Sequence, residues 1–160
     1  MMTTLLATIS VLLIAAAMTV SCILNKKAIP MSYCETADYT NWPLRTVWYA
    51  FMMSSIVTAA FPLMKATGPD TQFLVWIVCA SALMAVVCTF GDEKIDYICY
   101  TIATIAFYLA GLALLLCNTW WLAVLPIGAF VYSVVKNDLH WRLYTTTAFV
   151  LALYIYALCN

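Results

Sequence analysis

Apolar residues run along this chain in six long blocks, separated by short polar breaks. Each block is of the order of 20 residues, the length that crosses a hydrocarbon core as a helix. The pattern predicts helices over about residues 4–24, 44–64, 71–90, 93–117, 119–135 and 139–158. Strands are not expected, because lipid leaves an open sheet edge without hydrogen-bond partners. The expected fold class is therefore all-α: a polytopic bundle of six transmembrane helices forming a single domain over residues 1–160.

The breaks carry helix punctuation. The segment KATGPD, 65–70, reads as a turn with Asp70 or Thr71 as N-cap. Gly91 suits the end of the third helix, and Asp92 and Glu93 suit the positive start of the fourth. Asn118 interrupts an apolar run too long for one crossing and precedes Trp120 and Trp121, interfacial residue types. Pro126 is expected to kink the short fifth helix. Ser55 with Ala59, Ser81 with Ala85, Ala106 with Ala110, and Gly128 are expected to let helices approach closely.

Composition sharpens the class. Hydrophobic residues make up 66% of the chain and charged residues 9%, with a mean hydropathy of +0.98. So few charges could not cover a water-facing surface. The net charge is zero, which gives nucleic acid no basic patch to bind. No charge precedes Lys26, so the first block reads as a retained helix rather than a cleaved signal, which would begin with positive charge. Lys26, Lys27, Arg45, Lys94, Lys136 and Arg142 fall at one side of a six-helix chain, and only Lys65 falls at the other. The positive-inside rule then puts the first, third and fifth loops in the cytoplasm and both termini on the non-cytoplasmic side. Small size and compact loops point to a bacterial inner membrane.

Candidate chemistry collects at the same side. The first loop brings Tyr33, Glu35, Asp38, Tyr39 and Arg45, the start of the fourth helix Asp96 and Tyr97, and the start of the sixth His140 and Arg142. These nine form the expected ligand-binding rim, and caps, ion pairs and topology signals would account for the same residues. Asp96, with Tyr97 and Tyr100 beside it, could pair with Arg45 or Arg142 and tie helix ends together. Ser54, Ser55, Thr58, Ser81 and Thr104 are mid-span hydroxyls expected to bond their own helices. Met52, Met53, Phe107, Tyr108 and Phe130 are expected to be packing or lipid contacts.

The seven cysteines form no C-x-x-C pair and no zinc-module spacing, so neither a metal nor another cofactor is expected. A bridge between Cys117 and Cys159 is left open. Cys34, Asp138 and His140 can be drawn as a catalytic set, but nothing in their spacing fixes a geometry. An acid at mid-span, which a proton-coupled carrier would usually keep, is missing from the sequence.

The segment Ile29, Pro30, Ser32, Tyr33 after the first helix, an aromatic-rich second helix, and Glu93, Lys94, Asp96, Tyr97 opening the fourth resemble small, uncharacterised six-helix membrane proteins of bacteria and their phages. More distantly the layout resembles the DRAM/FRAG type. In that pattern the position of Asp96 is often histidine. The resemblance implies six helices and supplies no reaction. The favoured reading is a non-enzymatic membrane protein whose cytoplasmic rim binds a lipid headgroup, a small ligand or a partner. The alternatives are a channel or transporter subunit working as a homo-oligomer, and a membrane-interface enzyme acting on a lipid through Asp96, Glu35 or His140.

Overall fold

The computed structural model describes residues 2–25, 42–90, 94–136 and 140–159. Six α-helices and three short 3-10 turns account for nearly all of them, and no strand occurs among the described residues. The α-helices are α1 (Met2–Asn25), α2 (Trp42–Ala66), α3 (Gln72–Val87), α4 (Lys94–Thr119), α5 (Val124–Val135) and α6 (Trp141–Cys159). Five stretches are long and apolar enough to cross a membrane: Met2–Thr19, Arg45–Ala66, Pro69–Val87, Asp96–Val135 and Trp141–Cys159.

The fourth of those stretches holds both α4 and α5. The chain leaves helical geometry at Thr119 (φ −150°, ψ 67°) and makes a 3-10 turn over Trp120–Ala123 before α5 begins. Asn118 marks this end as expected. Its amide donates to the Leu114 carbonyl at 2.9 Å and to Thr71 Oγ1 at 3.3 Å, pinning the end of α4 to the start of α3. Pro126 does not interrupt α5. It is the third residue of the helix, where an N–H has no carbonyl one turn back within α5, so its missing donor costs no bond there. Pro62 is the interior proline of α2 and removes the bond the Thr58 carbonyl would accept.

Two other boundary expectations change. Thr71 is the residue before α3, but its side chain makes no cap bond. The chain enters α3 through a 3-10 turn over Pro69–Thr71, closed by the Thr71 N–H on the Gly68 carbonyl at 3.1 Å. At its other end α3 stops at Val87, and a 3-10 turn over Cys88–Phe90 replaces the last predicted turn. Gly91, Asp92 and Glu93 lie outside the described residues.

Most helices pack on the next: α1 on α2, α2 on α3, α3 on α4, and α5 on α6, while α4 meets the 3-10 turn before α5 and α6 also touches α1, α2 and α4. α2 and α3 run antiparallel, as do α1 and α6, as cross-links at known heights show. Arg45 at the start of α2 reaches Thr89 just after α3, and Thr8 near the start of α1 meets Tyr154 near the end of α6. Gly111 makes one of the close approaches: a Cβ there would lie 3.3 Å from the Phe149 ring of α6. Gly128 makes none, having open space where a Cβ would be.

The interior divides into two apolar clusters. The larger joins α2, α3, α4, α6 and the turn before α5, with Leu114, Leu115, Leu122 and Ala152 wholly buried. The smaller joins α1, α2 and the end of α3 through Ala17, Trp48, Tyr49, Met52 and Val86. The outer surface is apolar as well. Val57, Trp76, Ile102, Leu109 and Trp120 are all more than half exposed. A water-soluble monomer rarely presents so much contiguous hydrocarbon.

Candidate functional site

Between the two clusters the bundle is hollow. A cavity of about 170 Å³ is bounded by five of the six helices, α5 being the exception. Each of these five helices contributes a stripe at helical spacing. From α6 come Arg142, Thr146, Val150, Leu153, Tyr154 and Ala157, and from α2 Met52, Ser55, Ile56, Ala59, Pro62 and Leu63. α1 gives Ala7, Ser10, Val11 and Ile14, α3 gives Val78, Cys79, Ala82, Ala85 and Val86, and α4 gives Tyr100, Thr104, Phe107 and Tyr108. The hollow follows from residue size. Alanine and serine occupy many of the inward positions, and helices held apart by larger neighbours leave the volume above such residues empty.

The wall is mostly hydrocarbon, and its polar groups are graded along the bundle. Arg142, Tyr100, Thr104, Thr146 and Tyr108 gather toward the end where α4 and α6 begin. Most of the hydroxyl protons there are committed. Thr104 donates to the Tyr100 carbonyl at 2.8 Å and Thr146 to the Arg142 carbonyl at 2.7 Å. Thr146 has only one proton, so in its 2.6 Å bond with Tyr108 the tyrosine is the donor. The Arg142 guanidinium lies 5.3 Å from the Trp141 ring centre, a cation–π distance. Trp141 in turn packs edge-on against Phe130 of α5. Arg142 itself is exposed at this mouth, and among the described residues no carboxylate pairs with it.

At mid-height the wall is clasped by Ser10 and Ser55. Each hydroxyl donates to the other residue's carbonyl at 2.9 Å. Each has a single proton, so the 3.1 Å between the two oxygens is contact rather than a third bond. Thr58, Ser81 and Thr104 bond their own helices as expected. Ser55 does not; it bonds across to α1.

The expected rim residues separate. Tyr33, Glu35, Asp38 and Tyr39 lie outside the described residues, as do Cys34 and Asp138 of the drawn catalytic set. Arg45 belongs to a latch between α2 and α3: its Nη2 donates to the Thr89 carbonyl at 2.6 Å, and its guanidinium lies 6.0 Å from the Tyr49 ring. Tyr49 shares a 2.8 Å bond with Thr89 Oγ1. Asp96 sits near Cys88 rather than forming an ion pair with Arg45 or Arg142 among the described residues. Burial pushes the Cys88 thiol above its ordinary value, and Cys99 and the Asp96 carboxylate push it further. Tyr97 turns outward and is 63% exposed. His140 packs its ring 6.2 Å from that of Tyr144. Of the five that are described, Arg142 alone lines the cavity.

Sequence reasoning passed over Thr146 and Tyr154 and took Tyr108 for packing. The signal was present, since Arg142, Thr146, Val150 and Tyr154 recur every fourth residue on one face of α6. Cys117 and Cys159 are free thiols, as are Cys79, Cys88 and Cys99. Among the described residues no three His, Cys, Asp or Glu side chains gather as metal ligands would. No family model, curated protein or solved structure matches the chain.

Proposed function

We propose that this chain is a multi-pass integral membrane protein of six transmembrane helices, with both termini on the non-cytoplasmic side, that holds a lipid-like molecule in its interhelical cavity without catalysing a reaction on it. The cavity carries this reading: an apolar hollow of about 170 Å³ whose described lining has a cation, Arg142, at one end. Under the positive-inside orientation, that end is cytoplasmic. The site is then the inside of the rim where α4 and α6 begin, with Arg142 as its charged member.

The wall supports a hydrocarbon occupant better than a permeating ion. An ion path needs polar groups along its whole length. Here Val78, Leu63, Leu153 and Ala157 line the half opposite Arg142. The homo-oligomeric channel reading therefore gains nothing from this hollow.

The test is purification of the protein from its membrane, followed by solvent extraction and mass spectrometry of what remains bound. A lipid-like molecule in stoichiometric amount is expected. It should be lost from Ala59→Phe and Ala82→Phe, which fill the hollow from α2 and α3. Equal retention by both variants would overturn the reading. A reporter fused to the C-terminus should report the non-cytoplasmic side, and a cytoplasmic C-terminus would overturn the orientation.

A further inference from the structure

We infer that the group enclosed by the hollow is a single aromatic ring bearing a hydroxyl, the head of a phenolic lipid, whose proton is accepted by the Thr104 hydroxyl. The inference rests on the lipid-binding reading and names the ligand class: the ring lies inside, and the chain it carries stays outside the hollow.

Volume limits the enclosed group. A dry apolar cavity of about 150 Å³ in another protein takes up benzene. A hollow of about 170 Å³ therefore accepts one substituted ring and is too small for a whole acyl chain. The wall suits a flat ring. Tyr100, Phe107 and Tyr108 of α4 and Tyr154 of α6 bring aromatic side chains to it. Phe107 and Tyr108 tilt against each other with centres 5.7 Å apart, and both pack on Phe149. Rings set at such angles present edges and faces to a further ring, and each good pair adds to what burial alone gives. An alkyl segment of the same carbon count gains burial only, and it loses torsional freedom that a ring never had.

The hydrogen bonds of the wall select a donor. Ser10 and Ser55 donate to each other's carbonyl, Thr104 to the Tyr100 carbonyl, and Thr146 to the Arg142 carbonyl. Tyr108 donates to Thr146. Thr8 donates to the Thr4 carbonyl at 2.9 Å, so in the 3.3 Å bond between Thr8 and Tyr154 the tyrosine is the donor. A hydroxyl whose proton is committed still has lone pairs, so these oxygens offer the enclosed group acceptors. The Arg142 guanidinium, a donor, lies at the exposed mouth. Thr104 stands on α4 one turn from Tyr100 and one turn from Tyr108, on the same face as both. A phenol ring laid against Phe107 would set its hydroxyl on the Thr104 oxygen. An enclosed carbonyl or ether would meet oxygens there and be left without a donor, which costs its desolvation in full.

The test uses the full chain, freed of lipid and reconstituted in phosphatidylcholine nanodiscs, with radiolabelled p-cresol standing for the ring without its chain. Empty nanodiscs measure partitioning into the bilayer, which is subtracted. Toluene and n-heptane compete: toluene has the ring and no donor, and n-heptane has the same carbon count and no ring. Saturable p-cresol binding is expected, displaced by toluene and not by n-heptane at equal bilayer concentration. Ala59→Phe should abolish it. Thr104→Val should weaken p-cresol about fivefold, the scale of one hydrogen bond, and leave the inhibition constant of toluene unchanged. The toluene constant also reports that the hollow is intact. Thr104→Ser, which keeps the oxygen, should bind p-cresol as the wild type does, and a loss equal to that of Thr104→Val would overturn the role of the hydroxyl. Thr104→Val acting alike on p-cresol and toluene would overturn it too. Displacement by n-heptane as effective as by toluene would overturn the ring. No saturable p-cresol binding, in a protein whose solvent extract still holds a stoichiometric lipid-like molecule, would overturn the phenolic head and leave the lipid-binding reading standing. An extract without such a molecule would overturn the lipid-binding reading itself.

Discussion

The two ends of α6 use the same residue types to opposite effect. Near its C-terminus, Tyr156 is wholly enclosed, and its hydroxyl donates toward the Ala66 carbonyl at 3.1 Å and Thr67 Oγ1 at 3.0 Å. Around it Leu114, Leu115 and Leu122 leave no surface exposed. Near the N-terminus, Tyr108 and Thr146 form a bond of the same kind, but it borders the hollow and lies close to an exposed arginine. A tyrosine with a satisfied hydroxyl therefore marks neither a core nor a site. What separates the two ends is the size of the surrounding residues: leucine at the solid end, alanine and serine along the hollow.

Leu114→Ala should break this contrast most severely. At a site with no exposed surface it should cost about 2–5 kcal/mol, the range for a cavity cut into a packed core. Ala82→Leu, which adds volume beside the hollow, should cost little or nothing by the same unfolding titration. Equal losses for the two would mean that the solid and hollow regions are not distinct. Next comes Tyr156→Phe, which leaves the Ala66–Thr67 turn without its donor and should cost about 1 kcal/mol. Ser10→Ala and Ser55→Ala should each cost about 0.6 kcal/mol, the average for interhelical bonds in membranes. The double variant should fall short of the sum, because each single change already spoils the reciprocal clasp. Full additivity would show two unrelated bonds.

The smallest effect concerns a thiol outside this contrast. Cys88 has its pKa raised, so its thiolate fraction at neutral pH is lower than that of an ordinary thiol. Alkylation followed residue by residue with mass spectrometry should show a midpoint above the ordinary value of about 8.5. The rate should rise with pH through that midpoint. A midpoint at or below about 8.5 would mean that Cys88 is not buried and crowded by Cys99 and Asp96 as described.

The helices were legible because length and apolar content decide them almost alone. The break at Asn118 was legible too, since an amide followed by two tryptophans is a poor continuation of an apolar run. The 3-10 turns were not, because the hydrophobic pattern is the same on either side of them. Most of the site was hidden for a different reason. Small residues say that something comes close without saying what. Gly111 faces a neighbouring helix, Ala59 and Ala82 face the hollow, and Ser55 does both. Only the relative rotation of five helices separates these outcomes, and periodicity within one helix does not encode it. Arg142 was legible as a charge at a helix start, but not as the end of a stripe reaching Ala157.

The α4–α5 stretch has arms of unequal length. α4 has 26 residues and extends about 39 Å, whereas α5 has 12 and extends about 18 Å, with a four-residue 3-10 turn adding about 8 Å. Set in a bilayer with a core about 30 Å thick, the first arm is too long and the second too short. Tilting relieves the excess of α4, but were α5 to cross as the proposed sixth span, lipid beside it would have to thin to keep both ends of the helix wetted. The protein would then fit thin membranes better than thick ones, and the mismatch would sort it among bilayers by acyl length alone.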